Sequence, residues 1–76
     1  MVEYLILGKS GCFYCNKAKA LLTQKGLTFE YVDVEQDLEA LDKIVDSGWS
    51  TVPQIFKGGS HLGGYEQLEK LLVSNS

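Results

Sequence analysis

The chain has 76 residues, of which 45 % are apolar and 22 % are charged, and its formal net charge is −3. This length predicts one domain over residues 1–76, and the ordinary balance of apolar and charged residues excludes a disordered, collagen-like or coiled-coil chain. The acidic balance argues against nucleic-acid binding. The longest apolar run, Tyr4–Leu7, is far shorter than the ~20 residues of a membrane span. The N-terminus lacks the basic start and apolar stretch of a secretory signal, so we expect a cytoplasmic protein without membrane attachment. The absence of a long apolar surface run favours a monomer.

Charged residues are segregated along the sequence. Four lysines fall within residues 9–25 with no acid among them, whereas residues 30–46 contain seven acids and one lysine. Two interpretations stay open: two solvated faces of opposite sign, or a basic stretch that handles anionic ligands or thiolates.

The first half of the chain predicts a strand, a helix and a second strand. Glu3–Leu7 is apolar and rich in β-formers, and a polar loop with two glycines follows it. Phe13–Lys25 has the apolar spacing of a helix, and Gly26 is placed to end it. Thr28–Val34 is β-branched and aromatic, which predicts the second strand. A strand–helix–strand unit requires a right-handed crossover and a parallel pair.

The second half predicts a helix, a hairpin and a last helix. The predicted segments are a short helix over Leu38–Val45, a break at Val52-Pro53, a strand over Gln54–Lys57, a turn at Gly58-Gly59, a returning strand over Ser60–Leu62 and a helix over Tyr65–Leu72. The order β-α-β-α-β-β-α makes an α/β fold with a four-stranded mixed sheet flanked by helices.

The two cysteines, Cys12 and Cys15, are spaced Cys-x-x-Cys at the predicted start of the first helix. Free backbone N–H groups and the positive end of the helix dipole stabilise an anion there. Such a site lowers a thiol pKa and favours the reactive thiolate. Cys15 lies one turn further on the same face, within disulfide reach. This arrangement predicts an exposed attacking Cys12 and a partly covered resolving Cys15, with Lys9 and Lys17 adding positive charge.

Two other interpretations of the cysteine pair stay open. It could be half of a zinc site, although His61 is the only other good ligand and a closed structural site needs four. It could also be two ordinary core cysteines, but the glycine-containing turn before Cys12 makes burial of both unfavourable. We interpret His61 as a surface strand residue and not as a catalytic base.

Three landmarks give the chain its resemblance to a known family. They are Lys9-x-x-Cys12-x-Tyr14-Cys15, Thr51-Val52-Pro53-Gln54-Ile55-Phe56 and His61-Leu62-Gly63-Gly64. In this order and spacing, the chain resembles a small dithiol glutaredoxin of the bacterial or phage type over nearly all of its length. The resemblance implies a thioredoxin-like fold, a cis peptide at Val52-Pro53 facing the cysteines, and the activity of a thiol–disulfide oxidoreductase.

The resemblance also implies a site for glutathione, as reductant and co-substrate, with no tightly bound cofactor. Thr51, Val52 and Pro53 would present the backbone edge that pairs with the cysteine residue of glutathione. Lys9 and Tyr14 would flank the glycine carboxylate. Gly64 and Tyr65 at a helix N-terminus would take the γ-glutamyl carboxylate, and Glu66 would pair with the amine. Implied partners are glutathionylated or disulfide-containing proteins, ribonucleotide reductase among them, and no metal site is implied.

Three residues depart from the family pattern, and two alternative functions follow. Phe13 stands where dithiol glutaredoxins have proline, Trp49 where they often have Arg or Gln, and Tyr65 where they have a small residue. Phe13 and Trp49 favour a hydrogen-donor redoxin of ribonucleotide reductase that is reduced by thioredoxin reductase. The missing motif proline also permits a [2Fe–2S] cluster carrier that binds one cluster between two subunits with glutathione.

Overall fold

The structure is a computed structural model that describes residues 2–73. The elements alternate in the predicted order. They are β1 (Tyr4–Gly8), α1 (Phe13–Gln24), β2 (Phe29–Asp33), α2 (Leu38–Asp46), β3 (Gln54–Lys57), β4 (Ser60–Gly63) and α3 (Tyr65–Val73).

The four strands form one mixed sheet in the order β2-β1-β3-β4. β1 pairs with β2 in parallel, as the helical crossover between them requires. β3 pairs with β1 and with β4 in antiparallel fashion. The hairpin turns at Gly58 and Gly59, whose φ angles of 57° and 86° match the left-handed conformation that a tight hairpin turn needs. The predicted parallel pair and hairpin are therefore confirmed.

Both faces of the sheet are covered, which gives three layers. On one face, α1 and α3 pack over β1 and β3 in a cluster of buried residues: Tyr4, Ile6, Ala18, Leu21, Leu22, Ile55 and Leu68. On the other face, α2 covers a smaller cluster of Leu7, Val34, Ile44 and Phe56. Successive residues of β1 and β3 alternate between the clusters, as the period of a strand requires.

Element ends differ from the sequence prediction by one residue at several points. α1 ends at Gln24 because the Gly26 N–H donates to the Thr23 carbonyl and the Leu27 N–H to the Leu22 carbonyl, which closes the last turn. β4 extends to Gly63, which pairs with Ile55.

None of the helices within residues 2–73 has both the length and the apolar character to cross a membrane.

Candidate active site

The cysteine pair lies at the N-terminus of α1, as the sequence predicts. Cys12 and Cys15 are joined as a disulfide with their Cα atoms 5.2 Å apart, a normal separation for this bond. Cys12 is the N-cap of α1 and its Sγ accepts a hydrogen bond from the Cys15 N–H at 3.1 Å. No acid lies in the first turn. Once the disulfide is reduced, this N–H and the helix dipole stabilise a thiolate on Cys12.

Burial distinguishes the two sulfurs. Cys12 is half-buried, whereas the side chain of Cys15 has no exposed surface. A disulfide of another molecule can therefore reach Cys12 directly, while Cys15 reaches only a sulfur already bonded to Cys12.

The peptide bond Val52-Pro53 is cis, as the resemblance implies. The loop that carries it faces the start of α1, and the Val52 carbonyl oxygen lies 3.9 Å from the Cys12 Sγ. Val52 is half-buried and Pro53 is buried. This stretch of backbone at Val52, the Val52 edge, therefore lies directly beside the half-buried sulfur.

A close contact behind the cysteines involves residues that the sequence did not indicate. A Cβ on Gly8 would stand 2.5 Å from the Tyr31 hydroxyl and 2.8 Å from the Cys15 Sγ. The Tyr31 hydroxyl donates to the Lys9 carbonyl at 2.9 Å. Burial and the nearby charge of Asp33 raise the pKa of Tyr31. Because Gly8 on β1 has no side chain, the Tyr31 ring on β2 and the Cys15 sulfur on α1 can both pack against it.

Two grooves meet at the Val52 edge. The first groove has a volume of about 570 Å³ and is lined by Tyr14, Lys17, Thr51, Val52, Pro53, Gly64, Tyr65, Glu66, Gln67 and Glu69. The second groove has a volume of about 400 Å³ and is lined by Lys9, Cys12, Val34, Leu41, Ile44, Trp49, Ser50, Thr51 and Val52. All of the predicted glutathione residues line one groove or the other. Lys9 and Tyr14 line different grooves, so the structure does not bring these two side chains to one point.

Each groove carries a lysine. In the first groove, the Lys17 ammonium lies 4.9 Å from the Tyr65 ring centroid and 5.6 Å from that of Tyr14, within cation–π range. In the second groove, Lys9 is exposed beside Cys12 and Trp49. A lysine is therefore present on both sides of Val52, together with Glu66 and Glu69 in the first groove.

At the N-terminus of α3, where the sequence predicts a bound carboxylate, a side chain of the same helix occupies a backbone donor. The Gly64 N–H donates to the Gln67 Oε1 at 2.9 Å. The side chain of Gln67 is exposed, so it can be displaced without breaking the core. The sequence carries no signal for this contact, since Gln67 is one of many polar residues on an amphipathic helix.

A second set of contacts, which the sequence does not indicate, links β4 to the cis-proline loop. His61 Nε2 lies 2.7 Å from Gln54 Oε1, and Gln54 Nε2 donates to the Thr51 carbonyl at 2.8 Å. The ring of Trp49 stacks on that of His61 with centroids 4.1 Å apart. His61 is an exposed strand residue, as predicted, but it also contacts Gln54 and Trp49.

In the described part of the chain, no three His, Cys, Asp or Glu side chains are grouped as a metal site requires.

A helix-capping cysteine pair facing a cis-proline on a mixed sheet of this order defines a thioredoxin-like thiol–disulfide oxidoreductase. The family model described as Glutaredoxin matches residues 4–62. The chain belongs to the glutaredoxin family, so the resemblance and the fold that it implies are confirmed. Its members exchange thiols and disulfides, and so does this enzyme.

Individual relatives agree with this assignment. Glutaredoxin 3 of Escherichia coli strain K12 is 38 % identical over 72 residues, which cover 93 % of this chain and 87 % of that protein. Hybrid peroxiredoxin hyPrx5 of Haemophilus influenzae is 48 % identical over 65 residues, which cover 86 % of this chain but 27 % of that longer protein. The crystal structure of a buckwheat glutaredoxin–glutathione complex has a TM-score of 0.77 at 28 % identity and covers 91 % of this chain and 67 % of its own.

Proposed function

We propose that this enzyme uses glutathione to reduce glutathione mixed disulfides and protein disulfides through Cys12 and Cys15. One observation carries the proposal: the Val52 edge lies beside the Cys12 sulfur, with a lysine-bearing groove on either side. Glutathione is a short peptide with a carboxylate at each end and its thiol between them. With its thiol at the Cys12 sulfur, each carboxylate can reach one lysine: Lys17 in the first groove, which also holds Glu66 and Glu69, and Lys9 in the second groove.

In this arrangement glutathione lies along both grooves. Its cysteine residue pairs with the backbone of Val52 between Thr51 and Pro53, as an added strand would. The glycine carboxylate extends toward Lys9 in the second groove. The complex of the buckwheat relative with glutathione supports this choice of ligand.

The γ-glutamyl group occupies the first groove. Its carboxylate lies near Lys17 and the N-terminus of α3 at Gly64 and Tyr65, where it replaces the Gln67 side chain. Its amine pairs with Glu66, and Tyr14 borders it on the α1 side.

The chemistry is a sequence of thiol–disulfide exchanges. The Cys12 thiolate attacks the glutathione sulfur of a mixed disulfide, which releases the substrate thiolate and leaves glutathione bonded to Cys12. A second glutathione thiolate attacks that bond, which yields glutathione disulfide and regenerates the Cys12 thiolate. With a protein disulfide, the Cys12 thiolate attacks one sulfur, which breaks the protein disulfide and forms a Cys12–protein mixed disulfide. The Cys15 thiolate then breaks that bond, which releases the reduced protein and forms the Cys12–Cys15 disulfide. Two glutathione molecules then reduce it.

The experiment is a comparison of Cys12→Ser with Cys15→Ser. We expect Cys12→Ser to lose both activities. We expect Cys15→Ser to reduce a glutathionylated peptide, because glutathione resolves the Cys12 adduct, and to lose turnover on a protein disulfide. The opposite pattern, with Cys12→Ser active and Cys15→Ser inactive on the glutathionylated peptide, contradicts the assigned roles.

Four further points stay predictions: one domain over residues 1–76, a cytoplasmic location, a monomeric state and ribonucleotide reductase as one protein substrate.

A further inference from the structure

We propose that His61 and Gln54 are positioning residues that aim the Val52 N–H at the bound substrate. The inference rests on the proposed function, because it concerns the same backbone edge beside Cys12. It adds two side chains that do not touch glutathione and that act through the peptide group between Thr51 and Val52.

The hydrogen bonds fix the orientation of the Gln54 amide. Gln54 is a buried polar residue with 6 % of its surface exposed. One end of its amide lies 2.8 Å from the Thr51 carbonyl oxygen, which only accepts hydrogen bonds, so the amide nitrogen must be at that end. The amide oxygen therefore faces His61 Nε2 at 2.7 Å. Because that oxygen only accepts, Nε2 carries a proton and donates it.

The Thr51 carbonyl and the Val52 N–H belong to one planar peptide group. In a trans peptide, the C=O and N–H bonds point in opposite directions, and the cis bond of this loop is the following one. Gln54 holds the carbonyl toward the interior. The Val52 N–H consequently points outward, and among residues 2–73 no backbone acceptor takes it. This is the donor that an incoming extended chain needs.

The position of His61 on β4 explains why it can hold Gln54. Phe56 pairs with His61 across the hairpin, and Gln54 is two residues from Phe56 on the same face of β3. The His61 ring is also stacked on Trp49 and packs 5.2 Å from the Phe56 ring. Two aromatic rings thus keep the imidazole in place while its Nε2 proton holds the Gln54 amide.

Two variants separate the hydrogen bond from the ring packing. His61→Phe keeps a flat ring against Trp49 but has no donor, whereas His61→Gln keeps a donor for the Gln54 oxygen. We expect the KM of His61→Phe for a glutathionylated peptide to rise about two- to ten-fold, the cost of one neutral hydrogen bond. Its kcat and the rate of Cys12 alkylation by iodoacetamide should match the wild type, because no reacting atom changes. His61→Gln should restore most of the KM.

The inference is overturned by either of two results. One is a wild-type KM in His61→Phe, and the other is an equal rise in KM in His61→Phe and His61→Gln. A wild-type enzyme that never turns over with glutathione contradicts the proposed function instead. Hydrogen exchange of the Gln54 side-chain amide then tests the positioning by itself: faster exchange in His61→Phe supports it, and an unchanged rate overturns it.

Discussion

At the scale of single residues, Gly8 is a position beside the cysteines where the packing leaves no room for a side chain. An alanine Cβ at this position would come within 3 Å of both the Tyr31 hydroxyl and the Cys15 sulfur. We expect Gly8→Ala to lower the free energy of unfolding by about 1–3 kcal/mol, the usual cost of forcing atoms into a packed interior. Gly64→Ala is the control, because its Cβ meets its nearest atom at an ordinary 3.5 Å. Urea unfolding measures both, and equal stability of the two variants contradicts this packing account.

Tyr31 makes a prediction about pH. Burial and the charge of Asp33 raise its pKa above the ordinary value of 10.0. The folded state therefore favours the neutral phenol more than the unfolded state does. The stability that this group contributes is fully present below pH 10 and is lost as the pH rises through the raised pKa.

The matching variant is Tyr31→Phe, which has no proton to lose. At neutral pH we expect it to be less stable than the wild type by about 0.5–1.5 kcal/mol, because the hydrogen bond to the Lys9 carbonyl is absent. Above pH 10 the difference in unfolding free energy between the two proteins should shrink. A difference that stays constant or grows above pH 10 contradicts the account of Tyr31.

Residues of the site were predictable from sequence to different degrees. Cys12, Cys15 and Pro53 carry local signals, since a cysteine spacing or a proline has a meaning that does not depend on distant partners. Gly8 and Tyr31 meet only because parallel pairing places β1 beside β2, and neither residue has a signal by itself. The pairing of Phe56 with His61 was within reach, because a two-residue turn at Gly58-Gly59 fixes it, but the register shift between Ile55 and Phe56, next to Gln54, had no signal in the sequence.

At the scale of elements, α2 depends on its N-cap. The Asp37 carboxylate accepts hydrogen bonds from the Glu39 and Ala40 N–H groups at 3.0 and 3.2 Å. We expect Asp37→Ala to lower the free energy of unfolding by about 1 kcal/mol and Asp37→Ser, which can still cap, to lower it less. Thermal unfolding compares the two variants. If Asp37→Ser is as destabilised as Asp37→Ala, the cap is not the source of the stability.

Element types were predictable because each has a local cause. α1 repeats its apolar residues at helical spacing, β2 is β-branched and aromatic, and glycines end both α1 and α2. Their exact ends were less predictable, because the hydrogen bonds that close the last turn of α1 also involve Leu27, outside the periodic segment. The spatial order of the strands required pairing information that no single element contains.

At the scale of the whole molecule, the fold brings three distant segments together. The start of α1 supplies Cys12, the loop before β3 supplies Val52 and Pro53, and the start of α3 supplies Gly64. The family resemblance predicted this meeting, while composition and periodicity alone gave only the elements. The division of the site into two grooves, with Lys9 in one and Tyr14 in the other, depends on side-chain placement and had no counterpart in the sequence.

Trp49 also acts at this scale, because it joins the second groove to β4. Its ring lines the groove beside Cys12 and Lys9 and stacks on His61. The site therefore has an aromatic side chain at the position where the glutaredoxin pattern often has Arg or Gln. In the proposed complex, a glutathione carboxylate in this groove would depend on Lys9 for its opposite charge.

Glutathione dependence is tested most directly by the rate of NADPH oxidation during reduction of a glutathionylated peptide. One reaction contains glutathione and glutathione reductase, and a parallel reaction contains thioredoxin reductase instead. We predict rapid turnover in the first reaction and none in the second, because each of the two grooves beside the Cys12 sulfur offers a lysine to one carboxylate of glutathione. Turnover with thioredoxin reductase alone would contradict glutathione dependence and would identify a hydrogen-donor redoxin with the same fold and the same two cysteines.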